Sequence, residues 1–396
     1  MNKKSKAFIS SDLRLLKSLA LLIGMLSLPQ YAFSQTMDST LEEDISDVRN
    51  HGDAIQYWGQ WNAGIGANSY ADLTDSEASA QARLNIRGGA VLTEWLNLNT
   101  DISLVGRSGF SQNRFGQDSL GSGINVNEAL ISGHYDRYLK LDAGIIDQGF
   151  IGSPLLISSR PFPGMRQSGL IGNNLFSAQL SAQQSIATSR SLDSRRRNEK
   201  ESTPLFLTQT LKTSYHPNKK QEVSLSATRF EYKNLPTIVA DESRTLGNTV
   251  PYSNAAQSEF LFDYQGMLYS LRGKTPVTTN FYLDGTVQLL ENSAAPRGLN
   301  RGFSAEAGAT FEFFNHKLRA SVMNFFNEAD SSPAYYNSSG LGHNNVKGNS
   351  YSLAFHYGNI FALNIRYTQS DVIRPNLVNT SRENIQFSLE TFYVNF

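Results

Sequence analysis

From Ile55 onward, apolar and polar residues alternate along the chain with a period of two. In "SAQARLNIRGGAVL", Ala80, Ala82, Leu84, Ile86, Gly88 and Ala90 fall on one face and Gln81, Arg83, Asn85 and Arg87 on the other. The pattern returns with Leu96, Leu98, Thr100, Ile102 and Leu104 against Asn97, Asn99, Asp101 and Ser103. It returns again with Phe303, Ala305, Ala307, Ala309, Phe311 and Phe313 against Ser304, Glu306, Thr310 and Glu312. "FALNIRY" sets Phe361, Leu363, Ile365 and Tyr367 against Asn364 and Arg366. Alternation of this kind predicts strands with one apolar and one polar face.

The connections carry a second pattern. Seven read as very short: Thr93–Glu94, Asp136–Arg137, Gly172–Asn174, His216–Lys220, Gly273–Pro276, Asn315–His316 and Gly358–Asn359. Eight long polar links lie between them, at 67–76, 108–123, 148–165, 190–202, 233–256, 292–301, 329–347 and 373–381. Long and short alternate throughout if a short strand is placed at Met165–Ile171. Fifteen links then join sixteen strands, with fourteen and eighteen as the neighbouring counts. Tight turns at one end and extended links at the other predict an all-β fold: a transmembrane antiparallel β-barrel with short periplasmic turns and long extracellular loops.

A soluble propeller or sandwich also alternates. Its strands are shorter than the roughly 10–14 residues read here, a length that suits a tilted bilayer crossing. Aromatic residues bracket the apolar faces (Tyr57 and Trp61, Tyr351 and Tyr357, Phe361 and Tyr367), as an interfacial girdle would. No blade-like repeat is present.

The final segment, "NIQFSLETFYVNF", changes phase. Ile385, Phe387 and Leu389 share one face, while Phe392, Val394 and Phe396 share the other. A β-bulge near Glu390–Thr391 would bring both sets to the same side. Closing a barrel requires the last strand to pair with the first, because an open edge in lipid strands backbone polar groups.

Composition fits this fold and removes others. The chain has 396 residues, 3 Trp, 17 Tyr, 23 Phe and only 18% charged residues. The absence of cysteine excludes disulfides and thiolate metal sites. Zero net charge argues against a nucleic-acid binder that relies on bulk positive charge. The first 34 residues read as a secretory signal peptide: Lys3, Lys4, Lys6, Arg14 and Lys17, then the apolar run Ser18–Leu28, then Ala32 and Ser34 before the cut. Beyond Ser34, 30 Lys and Arg stand against 34 Asp and Glu. Residues 35–54 are a short periplasmic N-terminal segment, either an amphipathic helix or a flexible leader. Residues 55–396 form the barrel.

On these features the chain resembles Gram-negative outer-membrane porins. The segment "NEALISGHYDRYLKLDAGIIDQGF" is similar to the strand, turn and strand that lead porins into a third external loop. The resemblance implies that this loop folds inward and narrows the channel. It also implies homotrimers, passage of small hydrophilic solutes, and reading of the C-terminal Phe396 by the barrel-assembly machinery. The outer-membrane lipid and lipopolysaccharide are the implied surroundings. The basic run "SRRRNEK" (194–200) either holds lipopolysaccharide phosphates or is a solvated loop tip.

Candidate chemistry lies on the inward face. Arg83, Arg87 and Arg107 form a basic wall, which Lys140 and Arg366 extend. Asp101, Glu128 and Asp142 are the inward acids, and the candidate constriction loop "GFIGSPLLISSRPFPGMR" contains Arg160 and Arg166. The loop lacks acids, so the expected eyelet is mildly anion-preferring; alternatively the arginines pair with those acids and keep the wall wet. No HExxH, GxSxG or phosphate-binding loop occurs, so neither an enzyme nor a cofactor is expected. Ser132 and His134 share a strand face that points to the lumen. A substrate-selective channel with a site at the constriction, and a structural or adhesive barrel, stay open as alternatives.

Overall fold

The computed structural model describes residues 55–71, 76–112, 122–136, 138–188, 201–218, 220–251, 258–375 and 381–396. The expected signal peptide, the 35–54 segment and the basic run 194–200 lie outside these residues. Sixteen strands follow in order. They are β1 (Gln56–Ala71), β2 (Ser76–Thr93), β3 (Leu96–Gln112), β4 (Gly123–Tyr135), β5 (Leu139–Asp147), β6 (Pro161–Gly172), β7 (Phe176–Ile186) and β8 (Leu205–Asn218). The second half holds β9 (Gln221–Lys233), β10 (Tyr264–Pro276), β11 (Phe281–Asn292), β12 (Arg301–Phe313), β13 (His316–Asn327), β14 (Val346–Tyr357), β15 (Phe361–Val372) and β16. β16 runs Arg382–Thr391 and resumes at Val394–Asn395. A single helix of the described residues, α1 (Thr237–Thr245), sits in the β9–β10 link.

Every neighbour in the sheet is antiparallel, and β1 pairs with β2 on one side and β16 on the other. The sheet is therefore closed, and no strand leaves an edge exposed. Outward faces carry the apolar set: Ile65, Leu180, Leu225, Leu283, Val322 and Leu353 are all exposed. For a soluble protein this would be a liability; for a barrel it is the lipid surface.

The expected bulge is present, one residue further on. Gly64 faces Glu390, but Trp61 faces Val394, so β16 carries one extra residue between them. Below the bulge, Val394 and Phe396 return to the outer face, and Tyr393 points inward. The Phe396 ring lies over Gly59, where an added Cβ would meet it at 2.5 Å. Gly89 makes similar room inside, for the Trp58 indole at 2.8 Å from such a Cβ. A second bulge, not foreseen from sequence, lies where Asp101 faces Glu128 and Ile102 faces Val126, leaving Asn127 as the extra residue.

Three links differ from the expectation. β6 starts at Pro161, not Met165, because β5 pairs with it from Asp147–Pro161 onward; β7 joins only at Gly164, so the two prolines sit where β6 has one neighbour. β10 runs through to Pro276, so the expected turn at Gly273–Pro276 falls at 277–280, closed by Val277 N donating to Phe281 O. The 67–76 link shrinks because β1 extends to Ala71 and β2 begins at Ser76.

Candidate functional site

A sixteen-strand barrel is too wide for its wall side chains alone to fill. Three long links fold into it and pack on one another. The β5–β6 link (148–160) leaves the wall as a 3₁₀ turn, Gln148–Ile151. It reaches β11, five strands away, where Gln288 Nε2 donates to Gly152 O at 2.7 Å. Only a segment crossing the interior can make that contact. Leu155, Leu156 and Ile157 are fully buried there, so the inward fold rests on apolar burial as well as hydrogen bonds.

The β13–β14 link (328–345) crosses from the other side. Tyr336 stacks on Tyr232 of β9 with centroids 5.5 Å apart and meets Phe162 of β6 edge-on at 5.4 Å. Ser158 N donates to Tyr336 O, and Ser332 Oγ to Leu155 O, fastening the two links together. Arg160 completes the clasp: its Nη2 donates to Tyr335 O at 2.6 Å, and its guanidinium lies 4.8 Å from the Tyr335 ring. α1 supplies the third side. Val239, Ala240 and Ser243 form its buried face, and Ser243 Oγ accepts from Tyr335 N. Asn248, just beyond, accepts from Ala334 N and donates to Ala329 O.

The apolar wall residues packed in the core of this plug come from β6 to β14: Phe162, Phe206, Phe230, Tyr264, Leu268, Leu290, Phe325 and Val346 among them. Phe206 and Phe230, on the paired strands β8 and β9, thus serve the plug core. β15, β16 and β1 to β5 contribute nothing to that core. The tip of the β13–β14 link comes up to β16, where an added Cβ on Gly340 would lie 3.5 Å from the Gln386 side chain. It reaches β15 as well, where an added Cβ on Gly342 would lie 3.1 Å from Ser370 Oγ.

That wall holds the basic residues read from sequence, in two different states. Arg87 is ion-paired: its Nε lies 2.6 Å from Asp101 Oδ2. Asp101 also accepts from Asn127, the extra residue of the second bulge, at 2.8 Å. A chain of hydrogen bonds continues from Asn127 to Ser103, then Asn85, then Asn62, tying β4 to β1. Arg83 and Arg107 lie along the same inward face with no carboxylate within ion-pair distance among the described residues. Arg366 of β15 is similar, its Nε donating to Ser352 Oγ at 3.3 Å.

Asp142, Lys140 and Arg166 meet in a separate cluster. Asp142, with a side chain 1% exposed, sits 2.7 Å from Arg166 Nη2 and 3.3 Å from Lys140 Nζ. Ser132 Oγ donates at 2.7 Å to Oδ1, the oxygen that Lys140 also approaches, which makes Ser132 a partner of the ion pair, not a nucleophile awaiting a base. Phe150 caps the Arg166 guanidinium at 4.4 Å. Glu128 faces inward opposite Asp101. Of the nine residues expected to line the constriction, then, Arg160 is a clasp between links, while Asp142 and Arg166 form a buried anchor with the exposed Lys140 at its edge.

Three features had no expectation attached. Arg319 of β13 bridges Asp284 of β11 and Glu306 of β12 at 2.6 and 2.9 Å, tying three successive strands together. Arg382 lies 3.4 Å from the Tyr70 ring centroid, and Tyr393 covers Arg87 at 4.3 Å. The phase change in the last strand was the signal for Tyr393; nothing in the sequence pairs Arg382 with Tyr70 before the barrel is closed.

No protein-family model matches the chain, and no curated protein matches it. Solved structures do. Pseudomonas putida OprB is 11% identical with a TM-score of 0.53, covering 92% of this chain and 100% of that one. A loop-deletion mutant of OmpT, an outer membrane protein of Vibrio cholerae, is 10% identical with a TM-score of 0.50, covering 86% and 99%. A mutant Rhodopseudomonas blastica porin is 9% identical, covering 85% and 100%, with a TM-score of 0.44, too slight a likeness to carry weight. Identities this low speak for fold alone. On the closed sixteen-strand barrel and the first two of these likenesses, the chain has the fold of a porin-type outer-membrane barrel.

Proposed function

We propose that this protein is an outer-membrane channel through which small hydrophilic solutes diffuse, with a bias toward anions. The observation that carries the reading is the one-sided packing of the interior: the plug rests on β6 to β14 and leaves the polar wall of β15, β16 and β1 to β3 uncovered by its core. Solutes take the slot between the two. Asp101 and Asp142 are each held by arginine or lysine. Arg83, Arg107 and Arg366 are not matched by carboxylates in this way, and they supply the bias. The signal-peptide pattern of residues 1–34 supports export to this location, and the porin resemblance supports a trimer.

Single-channel recording of the refolded protein in planar bilayers tests the reading. Ohmic openings are expected, with a reversal potential in a salt gradient that favours anions and a bias that fades as salt screens the wall. Arg83→Ser/Arg107→Ser should lose the bias. A correctly folded barrel that never conducts would sink the channel reading and leave a plugged, structural barrel.

A further inference from the structure

Polar side chains interrupt the apolar outer wall on β7, β8 and β9. Phe206, Thr208, Phe230 and Tyr232 are buried on the inner face, and Gln183 bonds to Gln148 of the inward link. Alternation therefore turns Gln184, Gln209 and Arg229 outward, where all three are exposed. Exposed Met165, Leu180, Ile186, Leu211 and Leu225 lie around them.

The three form a short row. Gln209 pairs with Arg229 across the β8–β9 ladder, and with Ala182, two residues from Gln184, across β7–β8. They are also level. Gln184 is eight residues from the short-turn end of β7 at Phe176, Arg229 is eight from that of β9 at Gln221, and Gln209 is nine from that of β8 at Asn218. None of the three side chains has a hydrogen bond or ion pair among the described residues. Outward Asn324 and Asn349, nearer the long links, bond instead to each other.

Acyl chains offer two amides and a guanidinium nothing to bond, and a cation on the lipid face of a barrel is destabilising. A protein surface of matching polarity removes that cost, and the row matches itself. An amide carries both donors and an acceptor, so Gln209 can pair with another Gln209. A two-fold axis along the membrane normal at Gln209 reverses the row. It sets Gln184 of each copy opposite Arg229 of the other, amide oxygen to guanidinium, and keeps the two cations apart.

We propose that the β7–β9 wall is a docking face for a second copy of this chain, packed row to row about a two-fold axis. The proposal rests on the membrane-barrel reading and not on conduction. A two-fold contact is no part of a three-fold assembly, so it stands apart from the trimer that the porin resemblance supports.

The chain has no cysteine, so introduced cysteines report the contact without background. The variants are reconstituted in lipid vesicles and oxidised with copper phenanthroline, after assembly is checked by gel migration of unheated samples. Gln209→Cys is expected to give several-fold more disulfide-linked dimer than Leu353→Cys, an exposed position on β14 away from the row. Gln184→Cys and Arg229→Cys should cross-link when mixed, and not when either is alone. If Gln209→Cys links no better than Leu353→Cys, lipid covers the row and the docking face is overturned. If mixing gives no more product than the single variants, the two-fold arrangement is overturned. Should Gln209→Cys not assemble, the mixture decides. Neither failure touches the channel reading, which single-channel recording tests separately.

Discussion

The Arg87 guanidinium lies 4.3 Å from the centroid of Tyr393, a residue that a regular last strand would have turned outward. The extra residue in β16 makes the contact. It also keeps Val394 on the lipid side with Ile385, Phe387 and Leu389.

The bulge makes two one-residue deletions behave differently. Loss of Phe392 closes the bulge and leaves every remaining side chain on its face, so assembly should match the original. Loss of Ile385 turns Gln386, Ser388 and Glu390 toward lipid and Phe387 and Leu389 inward, at a cost of about 2 kcal/mol or more. Folded yield, read from heat-modifiable gel migration, distinguishes the two; equal yields would rule out the bulge.

Arg160 joins the β5–β6 link to the β13–β14 link through Tyr335 O. Arg160→Ala removes a charge-assisted hydrogen bond and a cation–π contact, together about 2–3 kcal/mol. The barrel should still assemble, since no strand pairing is touched. Open-channel current noise should rise, with excursions to larger conductance. Unchanged noise would mean that the apolar contacts alone hold the links.

Asp142 is a buried carboxylate between Arg166 and Lys140. Asp142→Leu leaves two cations facing each other, Arg166 almost enclosed. Breaking a buried pair from one side costs about 3–5 kcal/mol. The urea midpoint of unfolding in lipid vesicles should fall accordingly. Asp142→Leu/Arg166→Met should recover much of the loss, because it removes the stranded charge that faced the carboxylate.

His343 gives the plug a pH dependence. Burial, helped by Arg382 and Arg160, pushes its pKa down to about 3, against the hydrogen bond to Ala334 O. The folded link thus holds the ring neutral, while an unfolded link binds a proton below about 6.5. Between about pH 6.5 and pH 3 the open form takes up more protons, so stability of the link falls as pH falls. Asp330 in the same link is shifted the other way: burial raises its pKa, with the Thr249 N–H opposing. Its contribution falls as pH rises from its unfolded value toward the raised one. Hydrogen exchange of residues 328–345 should therefore quicken from pH 6.5 to pH 4, after correction for intrinsic rates, and His343→Gln should flatten that trend.

Much of this was legible in the chain. Period-two alternation and the two classes of link contain the strand count, because lipid outside and water inside impose that pattern on each crossing. Even the bulge was readable, since one face must stay apolar to the end. The interior was harder to read. Leu155, Leu156 and Ile157 were visible as apolar residues of an inward loop, but Tyr335 and Tyr336 sit in a Ser/Asn/Gly-rich link that reads as solvent-exposed. Their partners, Tyr232 and Phe162, come from strands more than 100 residues away. Alternation reports which face a residue takes and says nothing of what enters from above. Arg87 was readable as a wall cation and Arg160 as a loop residue, but nothing in the sequence joins Arg160 to Tyr335 of a second link.

The three links that meet inside arise between β5 and β6, β9 and β10, and β13 and β14, four strands apart each time. They act as spokes. A hollow barrel of this girth resists squeezing only through its hydrogen-bonded hoop, whereas one cross-braced from three points over half of its rim is stiffened on that side against lateral load. The segments that narrow the passage thereby also fix the girth of the wall around it, so the width of the slot and the stiffness of the shell cannot be altered separately.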